Sequence, residues 1–365
     1  MKRTSLYYTT VLIFAAITAT AVSKKQAAAQ AANDSIGYYN RGLALQRALD
    51  YPGAVEFYRQ AISLDPHFAN AYNSLFVAYA KLNMGEEAIE ACRRAVSLNP
   101  DLEIAHYNLG LVFADAHRHR DAIESLLIAV HINPNDRFAQ YSLGREYTES
   151  GRQEEALVPL KRAIALEPNY SAAYNQLGIA QDELGQYEAA IQSFAKAITI
   201  KAGQAESHNN LGVAYYHAGH YAEAVEPLKQ AILLKPNFAL YYTHLGQVYL
   251  KLNRYEDAVT SLTRALYLDP QDALTYNSLG CAFAELKRYK QALASLQQAT
   301  ILNPSLAEAY FNSGVINLAL KEKSKAMEEY SRLRTLNPAV ANKLYEMIYR
   351  NRILRVSNQP TAMDD

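Results

Sequence analysis

Apolar residues recur along this chain with the spacing of an α-helix, and the pattern breaks and restarts at regular intervals. Leu245 and Tyr249 lie one helical turn apart, and a second series begins with Ala258 and Leu262 after a polar break at 253–255. This spacing places the apolar side chains on one face of each segment. The pattern therefore predicts two amphipathic helices joined by a short turn.

The helix pair repeats every 34 residues between 35 and 340, without insertion or deletion. We number the positions within each copy from 1 to 34. Position 20 is Ala in all nine copies, and position 8 is Gly in eight of them, although Gly inside a helix costs about 0.5–1 kcal/mol relative to Ala. Small residues at fixed positions indicate close helix crossings, and a fixed period of this length indicates stacked repeats. The predicted copies are 35–68, 69–102, 103–136, 137–170, 171–204, 205–238, 239–272, 273–306 and 307–340.

The link between copies also has a constant composition. Position 32 is Pro in eight copies, where it is expected to end the second helix, and a polar residue often follows directly. These polar residues are candidate N-caps of the next helix, because short polar side chains accept hydrogen bonds from its first N–H groups. The candidates are Asp101, Asn135, Asn169, Asn237 and Ser305.

The seventh copy contains the motif Tyr242-x2-Leu245-Gly246-x2-Tyr249, then Ala258-x3-Leu262, then Pro270. This motif resembles the tetratricopeptide repeat, a helix-turn-helix unit of the same length. The resemblance implies an all-α fold, a right-handed α-solenoid superhelix of nine repeats whose first helices line a concave side. We expect a capping helix over 341–356 and a disordered tail over 357–365.

The first 31 residues differ from the repeats. Met1, Lys2 and Arg3 form a basic start, and residues 4–23 carry no charge. Such a segment predicts a signal peptide, and the run is also long enough to remain as a membrane anchor. We therefore expect export to a periplasmic or other extracytoplasmic compartment, with anchoring by this segment as the alternative.

Charge and reactive residues exclude several function classes. Lys plus Arg and Asp plus Glu both number 36, and no basic stripe is present, so nucleic acid is not an expected ligand. Cys92 and Cys281 lie in copies that do not touch, and both are interpreted as small apolar residues, although a partly exposed thiol at Cys281 stays open. No nucleophile has an identifiable base. The sequence predicts no enzyme activity, no catalytic residue and no cofactor.

Histidines are the only candidate metal ligands. His117 and His119 lie at one predicted turn, and His217 and His220 lie at another. Neither pair has the i, i+4 spacing of a helical zinc site, and no cysteine ligand is near. We interpret these histidines as solvated turn residues and predict no metal site.

In the family that this chain resembles, positions 2, 5, 6, 9, 12 and 13 face the concave side. Asn occupies position 5 or 6 in seven copies and offers both donors and an acceptor to the main chain of an extended peptide. The row is similar to the asparagine ladder in the superhelical domain of O-linked N-acetylglucosamine transferase, whose catalytic domain has no counterpart in this sequence. The alternative is that the row only reflects the repeat consensus. The candidate residues are Asn40, Asn73, Asn108, Asn175, Asn209, Asn210, Asn277 and Asn312.

Aromatic side chains on the same face form the second part of the predicted binding site, namely Tyr39, Tyr107, Phe138 and Tyr141. Aromatic anchors dominate interface energy once they are desolvated, although these rings could instead pack against the adjacent copy. The fifth and sixth copies add Asp182, Glu183 and Glu206, which would suit basic side chains of a partner.

We predict a non-catalytic scaffold that binds an extended peptide or a helix of another protein in its concave groove. One alternative is an assembly factor that holds an envelope complex through its convex surface. The other is the recognition subunit of a separately encoded enzyme, such as a glycosyltransferase.

Overall fold

The computed structural model describes residues 30–31 and 33–350. All of the predicted leader except residues 30–31, the predicted tail and the end of the predicted capping helix lie outside these ranges. The prediction of an all-α fold is confirmed, since the described residues form helices joined by short turns and contain no strand. None of the described helices is both long and apolar enough to cross a membrane.

The helices of each copy have constant lengths. A helix over 33–47 (α1) opens the first copy; from the second copy onward the first helix has 13 residues and begins at position 1, and in every copy the second helix has 14. The remaining helices are α2 Tyr51–Leu64, α3 Ala69–Lys81, α4 Gly85–Leu98, α5 Glu103–Asp115, α6 His119–Ile132, α7 Arg137–Glu149, α8 Gln153–Leu166, α9 Ser171–Glu183, α10 Tyr187–Ile200, α11 Ala205–His217, α12 Tyr221–Leu234, α13 Ala239–Lys251, α14 Tyr255–Leu268, α15 Ala273–Glu285, α16 Tyr289–Leu302, α17 Ala307–Ala319, α18 Lys323–Leu336 and α19 Pro338–Arg350.

The chain forms two compact units, where the sequence pattern indicated one array. The first unit ends at Glu167 and contains the first four copies. The second begins at Pro168 and contains the other five copies and α19. Each unit is a series of helix pairs, and we describe the two units separately.

The turn inside every copy is made by one residue in the left-handed region, at position 15. Its φ lies between +54° at His117 and +80° at Gly219. The N–H of the next residue then reaches back to the carbonyl of position 11, as Arg118 does to Phe113 at 2.8 Å, which is the Schellman ending of a helix. The sequence marks this turn with Gly in only three copies. The residues at position 15 are Leu49, Asn83, His117, Gly151, Gly185, Gly219, Asn253, Lys287 and Lys321.

The link between copies is held by side chains at positions 31 and 4. An Asp or Asn at position 31 accepts a hydrogen bond from the N–H two residues later, as Asn99 does from Asp101 at 3.1 Å. The side chain at position 4 bonds the carbonyl of position 32, as Tyr242 does to Pro236 at 3.0 Å. This second bond gives the recurrent position-4 Tyr a structural role.

The N-cap prediction was wrong by one residue. The helices begin after position 34, where Asp136 and Asp272 accept hydrogen bonds from the first N–H groups. The predicted residues lie at position 33, and three of them, Asp101, Asn135 and Ser305, donate their N–H to the position-31 turn instead.

Each copy is packed by a large side chain of its second helix over the Gly of its first helix. A Cβ built on Gly42 would lie 2.5 Å from the buried Tyr58 ring, and Gly246 faces Leu262 in the same way. The second copy exchanges the two sizes, since Phe76 stands at position 8 and Cys92 at position 24, both buried in one cluster. In the ninth copy, Leu344 of α19 covers Gly314. The helix α19 begins at Pro338, three residues before the predicted start, with Pro at the first helical position where it is favoured.

Candidate functional site

A row of polar side chains joins successive first helices. The residue at position 6 bonds position 5 of the preceding copy, 35 residues earlier. Asn108 donates to Asn73 at 2.9 Å, and Asn312 donates to Asn277 at 3.0 Å. The predicted asparagines are therefore brought together in pairs across the interface between copies, and part of their hydrogen-bonding capacity is used there.

Burial separates these asparagines into two groups. Asn108, Asn209, Asn277 and Asn312 are buried, and Asn312 is only 1% exposed. Their main contact is with the next copy. Asn73, Asn175 and Asn210 are partly exposed, and Asn40 in the first copy is exposed. Only this second group presents amide atoms to a ligand without a rearrangement.

The predicted aromatic residues, all in the first unit, are also of two kinds. Tyr39 is half-buried and packs on Tyr58 and Phe68, with ring centroids 5.9 and 4.9 Å away. Tyr107 and Tyr141 are half-buried as well, and burial raises the pKa of both phenols. In contrast, the Phe138 ring is 46% exposed. Much of the aromatic area therefore packs within the unit, and Phe138 is the exposed anchor.

A buried carboxylate in the first unit was missed by the sequence reasoning. Glu146 is fully buried at position 10, which is Ala, Val or Ile in every other copy. Its carboxylate lies 3.0 Å from His119 Nδ1 and 3.1 Å from the Arg145 guanidinium, which also approaches Glu149 at 3.5 Å. His119 is therefore part of a polar cluster and not merely a solvated turn residue, as we had predicted. Although ligand atoms of His119, Glu146 and Glu149 lie within 4.8 Å of one another, Arg145 already neutralises the carboxylate charge.

The clearest groove among the described residues lies in the second unit, over the fifth to seventh copies. Its volume is about 730 Å³, and the first helices α9, α11 and α13 supply most of its wall. The apolar part contains Ile179, Phe194, Val213, Phe238, Leu240 and Tyr241. The polar part contains Asp182, Glu183, Glu206, Asn209, Asn210, His217 and His244.

A continuous chain of hydrogen bonds crosses this groove from α13 to α9. His244 Nδ1 donates to Asn209 Oδ1 at 2.7 Å, since the amide oxygen can only accept. Asn209 donates to Asn210 at 3.4 Å, and Asn210 donates to Asn175 at 3.4 Å. Burial, together with the charge of His217, lowers the pKa of His244 to about 4, so His244 is neutral at pH 7.

Asp182 and His217 form a second bridge between α9 and α11. Their Oδ2 and Nδ1 atoms are 2.9 Å apart, and the side chains are only 15% and 18% exposed. His217 is the last residue of its helix and bonds a neighbouring copy, which corrects its interpretation as a solvated turn residue. The signal in the sequence is the 35-residue separation, the same as in the asparagine pairs.

Both cysteine thiols are buried. Burial raises the pKa of Cys92 and of Cys281 to about 12. Cys281 is 4% exposed and accepts a hydrogen bond from Asn312 at 3.2 Å. The partly exposed thiol left open for Cys281 is therefore not found.

Models of the TPR repeat match residues 78–116, 144–184, 183–219 and 246–287, and models of the tetratricopeptide repeat match 35–68, 205–238 and 277–341. No curated protein matches the sequence. A solved structure from the functional characterization of pilF of Pseudomonas aeruginosa is 21% identical, covers 59% of this chain and 97% of its own, and has a TM-score of 0.52, which shows the fold alone. YrrB, described as a TPR protein with an unusual peptide-binding site, is 24% identical (49% of this chain, 92% of its own, TM-score 0.46). MamA is 29% identical (46% and 92%, TM-score 0.44).

The matched repeats cover more than half of the chain, and the helix pairs of the structure agree with them in type and order. Proteins built of this repeat are generally non-catalytic scaffolds for protein–protein interaction, and such a scaffold is what these repeats form here. The chain belongs to the tetratricopeptide repeat family.

Proposed function

We propose that this scaffold holds an extended segment of a partner protein in the groove over the fifth to seventh copies. The observation that carries the proposal is the groove itself, about 730 Å³ of open volume along three successive first helices. Ligand sites commonly have volumes of this order and combine apolar walls with a few polar groups. The apolar wall of Ile179, Val213 and Leu240 beside Asn209 and Asn210 has this composition.

The hydrogen-bonded chain supports a groove that exists before the partner arrives. His244, Asn209, Asn210 and Asn175 tie three helices together through their side chains. A pre-formed site avoids the entropic cost of ordering its own residues on binding. Selectivity then depends on how the partner's side chains match contacts that are spaced one copy apart.

We further propose that the chain acts after export, directed by its first 31 residues, with retention of this segment as an anchor as the alternative. The basis is the basic start and the uncharged run over 4–23. Sequencing the N-terminus of the protein from soluble and membrane fractions tests both forms. A mature chain that begins near residue 31 supports cleavage, and an intact Met1 in the cytoplasmic fraction contradicts export.

Site-specific cross-linking tests the groove. A photoreactive amino acid at Leu240 lies in the groove wall, and one at Tyr267, which is 76% exposed, lies outside it. Adducts that map from Leu240 to one linear stretch of a partner support the proposal. Adducts from Tyr267 to a folded domain support the assembly factor, and activity found only in a co-purified complex supports the recognition subunit.

A matched pair of variants then separates binding from stability. Asn210→Ala and Asn312→Ala each remove one position-6 side chain that bonds the preceding copy, but only Asn210 lines the groove. With a synthetic peptide that corresponds to the cross-linked stretch, we expect Asn210→Ala to weaken binding about tenfold, the loss of about one to two hydrogen bonds. Equal effects of the two variants would contradict a direct contact.

A further inference from the structure

We infer that the groove over the fifth to seventh copies selects a segment that inserts a lysine or arginine side chain. This inference rests on the proposed function, because it names the chemistry of the segment that the groove holds. It depends on three features of the lining, namely its charge, the shielding of that charge and the apolar surface beside it.

The lining carries negative charge without a matching cation. Asp182, Glu183 and Glu206 contribute carboxylates, and no Lys or Arg belongs to the lining residues described above. His244 adds no positive charge at pH 7, because burial holds its pKa near 4. A groove with one sign of charge concentrates ligands of the opposite sign and raises their rate of association.

The partners of these carboxylates lie at its edge or are weak acids themselves. Lys235 lies 2.5 Å from Glu206, but both side chains are at least half exposed, and exposed pairs contribute little. Asp182 bonds His217, and the pair is largely shielded from solvent. A neutral imidazole donates a hydrogen bond to Asp182 without cancelling its charge. Shielding also strengthens the attraction between Asp182 and an incoming cation, since the local dielectric is lower than that of water.

The apolar wall suits a long basic side chain better than a small cation. Ile179, Val213 and Leu240 lie in the same groove as the three carboxylates. Lysine and arginine place their methylene stems on apolar surface while the charged end remains among polar groups. The Phe238 ring is 47% exposed at the same groove and offers an aromatic face to a guanidinium. An acidic segment meets repulsion here, because the lining offers no cation to hold a carboxylate.

Selection from a random peptide library displayed on phage tests the inference with the full chain. We expect selected 12-residue peptides to be enriched in Lys and Arg. The same library is then selected against Asp182→Asn/Glu183→Gln and against the control Glu223→Gln/Glu226→Gln. The control removes the same number of charges from exposed residues of α12 in the same unit. Enrichment should be lost in the first variant and kept in the second.

One selected peptide is then measured with each Lys or Arg replaced by norleucine, which keeps a linear aliphatic side chain and removes the charge. We expect one position to weaken binding by about 10- to 100-fold, the range for a hydrogen bond to a charged group. The Asp182→Asn/Glu183→Gln variant should abolish this difference. Glu183→Gln alone changes an exposed side chain and provides a milder second variant, with far-UV circular dichroism as the check on folding.

The possible outcomes separate this inference from the proposed function. Peptides that bind the groove without enrichment in Lys or Arg, or whose enrichment survives in Asp182→Asn/Glu183→Gln, overturn the inference and leave the proposed function in place. Selection of no peptide at all contradicts both.

Discussion

The two glycines of α1 give a direct test of how the helices of one copy pack. Gly37 and Gly42 lie in the same helix, five residues apart, but a Cβ added to them meets different surroundings. At Gly37 nothing lies within 4 Å of the added atom. At Gly42 the added atom would lie 2.5 Å from Cε1 and 2.7 Å from Cδ1 of Tyr58. We therefore expect Gly37→Ala and Gly42→Ala to change stability in opposite directions.

The magnitudes follow from two opposing effects. Replacing Gly by Ala inside a helix is favourable by about 0.5–1 kcal/mol, and Gly37→Ala should show this gain alone. Carbon atoms in ordinary contact are about 3.5–4.0 Å apart, so Gly42→Ala requires the Tyr58 ring to move by about 1 Å. That ring is fully buried, and its hydroxyl donates to Gln46 at 2.7 Å. Overpacking of this kind costs about 1–3 kcal/mol, which leaves Gly42→Ala less stable by about 0.5–2 kcal/mol.

Amide hydrogen exchange is the appropriate measurement, because repeats open from their ends and a single unfolding midpoint averages over copies. Exchange of α1 amides should slow in Gly37→Ala and accelerate by up to about 30-fold in Gly42→Ala, since 1.4 kcal/mol corresponds to a factor of ten. Thermal unfolding followed by circular dichroism provides a second measurement. If both variants slow exchange to the same extent, the close approach of Tyr58 to Gly42 has been misjudged.

Three further outcomes are expected. As the pH falls from 6.5 to about 4, unfolded chains bind a proton at His244 that the folded chain excludes, so the free energy of unfolding should decrease by up to about 3 kcal/mol. His244→Asn should remove this part of the pH dependence in urea titrations; an unchanged dependence would show that His244 is already accessible. Cys92 and Cys281 should react with a thiol reagent at least about 100-fold more slowly in the folded protein than in urea, because burial raises both pKa values to about 12. Rapid labelling of the folded chain would contradict this burial. Gly246→Leu should cost about 1–3 kcal/mol by overpacking against Leu262, and an unchanged midpoint would remove position 8 from the helix contact.

Periodic features were predictable from the sequence, because a repeated chain repeats its contacts. The phase of the copies is visible in Ala at position 20 and Pro at position 32 alone. The left-handed turn residue was less visible, since Leu49 and Lys287 adopt a conformation that usually indicates Gly. Here the hydrogen bonds of the helix ending outweigh the preference of the residue. The N-caps were displaced by one position because Asp and Asn at position 31 form the turn that precedes them.

The candidate site was predictable in its location more than in its roles. The sequence indicated which helix positions share a face, and the groove contains Asn209, Asn210, Asp182 and Glu206 from those positions. It did not reveal that an amide at position 6 is bonded to the preceding copy, because that requires the rotation of one helix relative to the next. Glu146 was missed for another reason. It breaks the apolar pattern at position 10, and we read the repeats for what they share.

The bonds between positions 6 and 5 have a consequence for assembly during folding. Nine hairpins with nearly the same small residues at positions 8, 20 and 27 could slide along each other at little cost in apolar contact. An amide that meets its partner only at a separation of 35 residues, as Asn312 meets Asn277 in a buried interface, penalises every shifted alignment by leaving polar atoms unpaired. These pairs contribute modest stability and fix which alignment of neighbouring hairpins is the native one.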